Sequence, residues 1–368
     1  MTGPGVTTSD RRHFHSIDIL RFAAALMVML NHFGTYLPST PASAPGAPDV
    51  AFSWFAPFVG PGAVGVEVFF VISGFVIAMS AEGRAGLSGA RLFTLARLRR
   101  LVPALWLSAL IAGAVLLWSG QSLRPVALWL ANSMVLSPKG PYVDGVVWTL
   151  VVEAMFYLLV AVMILSPERL TLQRVALALG AVSTVYLVVF ASAILRQDEA
   201  LAALLNRFPF KVFLLRHGVF FAIGMLLWRQ MRDRRRSPAL PVLVVMGLVE
   251  IWIGLHGDTP RALAAMALWT GGLGWLVLSM RWSVPARLHG IARYLGGLSY
   301  TLYLNHYTLG MILTWALFRT GVEGVTACAI ALGGVLLVSH LVLMAETRIR
   351  AALTARRDRR PEAPAPAR

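Results

Sequence analysis

The chain has 368 residues, of which 57% are hydrophobic and only 14% charged, and its mean hydropathy is +0.70. A water-soluble domain carries roughly 25% charged residues, so one water-soluble core is excluded and a membrane protein is expected. The formal net charge of +16 would suggest nucleic-acid binding in a soluble protein; here it reads as basic loops on one side of a membrane plus attraction to anionic lipid, with no nucleic-acid partner.

Apolar windows of roughly 18 to 24 residues predict ten transmembrane helices, near 17–37, 60–80, 101–119, 146–166, 172–195, 211–229, 239–256, 261–280, 295–318 and 324–344. The expected fold is therefore all-α, a polytopic integral membrane protein. The first run is expected to stay in the protein, being too long for a signal peptide and lacking a small-residue cleavage site. Residues 37–57, rich in Pro, Ala and Ser, read as an extracytoplasmic loop, and 124–136 as an interfacial or re-entrant helix too short to cross. Residues 1–346 are expected to form the membrane domain and 347–368 a basic, disordered cytoplasmic tail. No internal or inverted repeat is evident.

Charge tests that count. With ten spans, 24 of the 33 Lys and Arg fall on the side of the two termini and seven on the other, while Arg21 and Arg216 lie within spans. Basic residues are retained in the cytoplasm, which predicts both termini there. Arginine outnumbers lysine 31 to 2, which suggests a high-GC bacterial genome and hence the bacterial inner membrane. The single cysteine, Cys328, excludes an intrachain disulfide and a cysteine-ligated metal site; no metal site is expected.

The polar residues inside the spans point to chemistry, because ionisable groups at membrane depth are costly unless they face a cavity or a partner. Arg21 and His32 are eleven residues apart, which at about 100° per residue places them on one face of the first helix, about 16 Å apart along its axis. The second span carries Glu67 near its outer end, then Ser73 and Gly74, which read either as close helix contact or as the lining of a substrate tunnel. Arg97 and Arg100 share a face ahead of Pro103, as membrane anchors or as guanidinium forks for phosphate. Glu153 lies about two turns into the fourth span; it reads as a carboxylate orienting His32, or as the ion-pair partner of an arginine. In the ninth span Tyr303 and His306 share a helical face, either for packing and interfacial anchoring or for a direct role.

These residues resemble the signature of the acyltransferase-3 family of integral membrane O-acyltransferases. The resemblance rests on Arg21 and His32; on Gly65-Val66-Glu67-Val68-Phe69-Phe70 with Ser73-Gly74-Phe75; on Arg97, Arg100 and Pro103; on Trp148-Thr149-Leu150 with Glu153, Phe156 and Tyr157; and on Ser299-Tyr300 with Tyr303-Leu304 and His306. Glu346 resembles a late family feature, without the proline often found just after it. Membership implies that acyl-CoA, most often acetyl-CoA, is a co-substrate and that no cofactor is bound. It implies transfer of the acyl group to a hydroxyl of an extracytoplasmic or membrane-associated carbohydrate, glycolipid or macrolide-like natural product. Arg21, Arg97 and Arg100 would hold CoA phosphates. His32 would be general base or transient acyl carrier, with Glu153 tuning it, and Glu67, Ser73, Trp148, Tyr303 and His306 would line the tunnel or the acceptor site. A proton-coupled secondary transporter would also place Arg, His and Glu within its helices and is the alternative.

Overall fold

The computed structural model describes residues 14–36, 54–256 and 258–358, and among these every regular element is helical. In chain order the α-helices are α1 (His15–Tyr36), α2 (Gly65–Ala81), α3 (Gly86–Trp118), α4 (Leu123–Met134), α5 (Val147–Leu165), α6 (Leu172–Leu195) and α7 (Glu199–Leu205). They continue with α8 (Phe208–Val212), α9 (Gly218–Asp233), α10 (Ala239–Gly254), α11 (Thr259–Ser279), α12 (His289–Asn305), α13 (Thr308–Arg319) and α14 (Gly324–Asp358). An all-α membrane fold is thus observed. Residues 37–53 of the expected extracytoplasmic loop lie outside the described residues.

Among the described residues, seven helices are long and apolar enough to cross a bilayer: α1, α2 with the 3-10 turn ahead of it, α3, α5, α6, α11 and α14. The other three expected spans are shorter or broken helices, each for a local reason. α10 has 16 residues, which at 1.5 Å each is about 24 Å, short of the roughly 30 Å hydrocarbon layer. The span expected over 211–229 begins only at Gly218, because the chain turns at Leu214, whose φ of 63° is left-handed, and Arg216 N–H reaches back to Phe210 O. α9 is nonetheless central, its residues Gly218–Trp228 all buried. It needs no lipid-spanning length because protein surrounds it.

The third departure is the span expected over 295–318, which is two helices, α12 and α13, broken at His306 and Tyr307. Side chains compete for the backbone groups that a continuous helix would pair. Asp144 Oδ2 accepts Thr308 N–H at 2.9 Å, Thr308 Oγ1 donates to Val143 O, and Asn305 Nδ2 donates to Ser108 Oγ at 3.0 Å. Asp144 also takes Val146 N–H on its other oxygen, so the loop ahead of α5 staples the break.

Two close helix pairs set the bundle. α2 and α9 pack backbone to backbone: a Cβ on Gly74 would run into Phe221 O, and one on Gly224 into Val71 O. Of the two readings of the Ser73-Gly74 pair, the structure therefore gives Gly74 to close contact. α1 lies against α12, with Gly296 admitting the Asp18 side chain and His32 meeting His306. At the other end of the chain, α14 runs on to Asp358, so the boundary expected at 346/347 falls inside a helix; residues 359–368 lie outside the described residues.

Candidate active site

A cavity of about 90 Å³ opens between α1, α2, α3, α5 and α12. Arg21 and Arg100 stand at one end, Ser73, Glu153 and Tyr157 on the wall, and Tyr303 with Thr149 at the other. Ser73 Oγ–H donates to Glu153 Oε1 at 2.7 Å, which fixes one carboxylate oxygen on the α2 side. Two guanidinium groups share the cavity with that one carboxylate, so its field favours an anion. Arg21, Arg100, Gly296 and Tyr300 also line a wider vestibule of about 960 Å³ that adds Arg293, Arg350, Asp18 and Glu346. The two arginines thus stand where the vestibule meets the inner cavity.

At the far end, Thr149 Oγ–H is committed to Val146 O at 2.9 Å, so the Tyr303 hydroxyl must donate to Thr149 Oγ1 at 3.0 Å. Tyr303 stands between the cavity and a pair of imidazoles. Its ring centroid lies 5.7 Å from that of His306, and the His32 and His306 rings are stacked within 10° of parallel. His306 sits at the α12–α13 break. Its Nδ1 is 2.8 Å from Tyr303 O, and a carbonyl can only accept, so Nδ1 carries the proton and Nε2 the lone pair. His32 Nδ1 lies 2.8 Å from that Nε2 and must donate to it. In the neutral His32 ring the lone pair is then on Nε2. Tyr307 packs edge-on against the same ring, 4.9 Å between centroids.

The geometry redistributes the residues singled out from sequence. Arg21, Arg100, Ser73, Glu153 and Tyr303 share the cavity, with His32 and His306 beyond it. His32 meets His306, while Glu153 accepts from Ser73 and is also hydrogen-bonded to Tyr157 one turn along α5. Arg97 is absent from the lining of either cavity: its Nη2 donates to Ser80 Oγ at 2.8 Å and its guanidinium lies over the Phe93 ring. Glu67 and Trp148 lie to the side, near His217. Arg293 and Asp144 were not singled out by sequence reasoning. The first looked like one more basic loop residue, and the second lies outside the apolar spans where intramembrane charge gives its signal.

Outside the spans, burial pushes the Asp144 carboxyl up to about 6, against the N–H groups of Val146 and Thr308, which hold it down. Lys211, over the Trp148 ring, is lowered, first by burial and then by Arg216.

Comparison with known proteins gives one match. A family model described as an acyltransferase domain aligns with residues 14–344, nearly the whole chain. No curated protein and no solved structure matches.

Proposed function

The chain belongs to the acyltransferase-3 family and is a membrane acyltransferase, and from that premise we propose that it transfers an acyl group, acetyl in the first instance, from acyl-CoA to a hydroxyl. The acceptor is a carbohydrate, glycolipid or glycosylated natural product at the opposite face. The protein sits in the bacterial inner membrane with both termini cytoplasmic. The observation that carries this reading is the ordered pair of imidazoles, because it supplies what the reaction needs at depth: a ring nitrogen whose lone pair is fixed in direction.

The donor approaches from the vestibule, where Arg21 and Arg100 hold its phosphates and Arg293 adds positive charge at the rim. Glu153 offsets part of the positive charge of the two arginines that share its cavity. The thioester end passes Tyr303 toward His32. His32 Nε2 takes the proton of the acceptor hydroxyl as that oxygen attacks the thioester carbon. The C–S bond breaks, and the imidazolium returns the proton to the departing sulfur, giving the ester and free CoA. In the two-step variant Nε2 attacks the thioester carbon and CoA leaves as its thiolate; the hydroxyl then displaces Nε2 from the acyl group, and its proton goes to the thiolate; both use the same lone pair. His306 supports the positive charge that develops on His32 through the hydrogen bond at Nδ1.

The test is purified protein in nanodiscs with radiolabelled acetyl-CoA and a crude lipid and glycan extract, assayed for CoA release and label transfer beside His32→Ala. Turnover that depends on His32 supports acyl transfer. Absence of both binding and turnover would remove the reading.

A further inference from the structure

Away from the cavity, α2, the turn before α9, and α10 bring Glu67, His217 and Glu250 together, with one ligand atom from each within 4.8 Å of the others. Two of the three are closed off from solvent, and Glu67 is half-buried. His217 is 3% exposed and Glu250 1%. Among the described residues, neither ring nitrogen of His217 makes a hydrogen bond, and nor do Glu67 Oε2 and Glu250 Oε2. His217 Nδ1 is 3.6 Å from Glu250 Oε1, too far for one. A buried polar atom left without a partner costs about 1–3 kcal/mol, and four such atoms in one cluster call for an occupant.

The neighbours decide what kind. Arg216 Nε donates to Glu250 Oε1 at 2.8 Å, and its Nη1 to Asn206 Oδ1, so the guanidinium is engaged and only one oxygen of Glu250 is taken. The Lys211 ammonium lies over the Trp148 ring, 5.6 Å from its centroid. The rings of Phe70, Trp148 and Phe220 wall in His217, 5.3, 5.6 and 6.5 Å away between centroids. One imidazole and two carboxylates remain facing one another with unused lone pairs.

We propose that Glu67, His217 and Glu250 bind a divalent cation of the zinc class, through one ring nitrogen and two carboxylate oxygens, with water completing the coordination. An imidazole in a mixed nitrogen and oxygen set favours zinc over calcium or magnesium, which take oxygen ligands. Arg216 would then be the outer partner that orients a ligating carboxylate. The ion ties the outer end of α2 to α9 and α10, and its binding is separate from the acyl-transfer reading.

The full-length protein in detergent is stripped with EDTA, titrated with zinc chloride, desalted and measured by plasma mass spectrometry, beside Glu67→Gln and His217→Gln. About one zinc per wild-type chain is expected, with a zinc-dependent rise in unfolding temperature, and at least tenfold less retained metal in each variant that elutes as a monodisperse peak. Glu67→Gln keeps the test available if His217→Gln does not fold. Wild-type protein that retains no zinc, or a folded variant that retains as much as wild type, overturns the proposal.

Discussion

His32 and His306 are 274 residues apart in the chain and meet through a single nitrogen-to-nitrogen hydrogen bond of 2.8 Å. Because His306 Nδ1 is spent on Tyr303 O, the bond has one direction only, and it turns His32 Nε2 into the basic atom.

Removing the base should be decisive. His32→Ala is expected to lower turnover by about 10²- to 10⁴-fold, the usual worth of general acid–base catalysis, while leaving acyl-CoA binding in place. Steady-state rates beside a donor-binding titration separate the two effects; unchanged acylation would remove His32 from the centre.

His306 acts through His32 and should show it. His306→Ala is expected to reduce kcat by about 10- to 10²-fold with donor KM little changed, and His306→Gln, which keeps an acceptor, to recover part of the loss. A wild-type kcat in His306→Ala would mean that the orientation of His32 is fixed by other contacts.

The two cavity arginines should differ from Arg97. Arg100→Ala is expected to raise the KM for acyl-CoA about tenfold or more with a smaller change in kcat, and Arg100→Lys to restore only part of it if the guanidinium binds as a fork. Arg97, tied to Ser80, should give the weaker donor effect; kinetics with varied acyl-CoA for Arg97→Ala and Arg100→Ala decide the order.

The α2–α9 contact leaves no room for a methyl group. Gly74→Ala and Gly224→Ala are each expected to destabilise the protein by at least the ~1–3 kcal/mol typical of overpacking, because the obstacle is backbone and cannot rotate away. Thermal unfolding in detergent, followed by tryptophan fluorescence, would detect it; a wild-type midpoint would show that the helices separate freely.

Asp144 predicts a pH dependence. Its carboxyl is raised from an ordinary 3.8 to about 6, so the folded state favours the protonated form. Its stabilising contribution is full below pH 3.8 and is lost as pH rises through about 6. Wild type should therefore fall in stability relative to Asp144→Asn over that window. Parallel unfolding-midpoint profiles for the two proteins from pH 4 to 7 would contradict it.

Much of the helix frame was legible because lipid-length apolar runs carry their own signal: 17–37 is observed as His15–Tyr36, 172–195 as Leu172–Leu195 and 261–280 as Thr259–Ser279. The α12–α13 break was not, since it depends on Asp144 capturing a backbone N–H 164 residues away, and the local interruption, Asn305-His306-Tyr307-Thr308, contains no proline to mark a helix end. The same limit applies to the site. Helical periodicity placed Arg21 and His32 on one face of one helix, but it cannot report which residue from another helix meets the imidazole. Charge alone suggested Glu153; the His306 contact comes from the α12–α13 break, which local periodicity does not encode, and Glu153 is hydrogen-bonded to Ser73 and Tyr157.

A pair of histidines at membrane depth invites comparison with a wire for protons, and the hydrogen-bond direction argues against one. The sequence of donors runs from His32 to His306 and stops at Tyr303 O, a peptide carbonyl with no proton to release and no titration of its own. Along this line, through His306, a proton accepted at His32 Nε2 has no onward step. The His32–His306 bond therefore orders a base without itself forming a relay past the Tyr303 carbonyl.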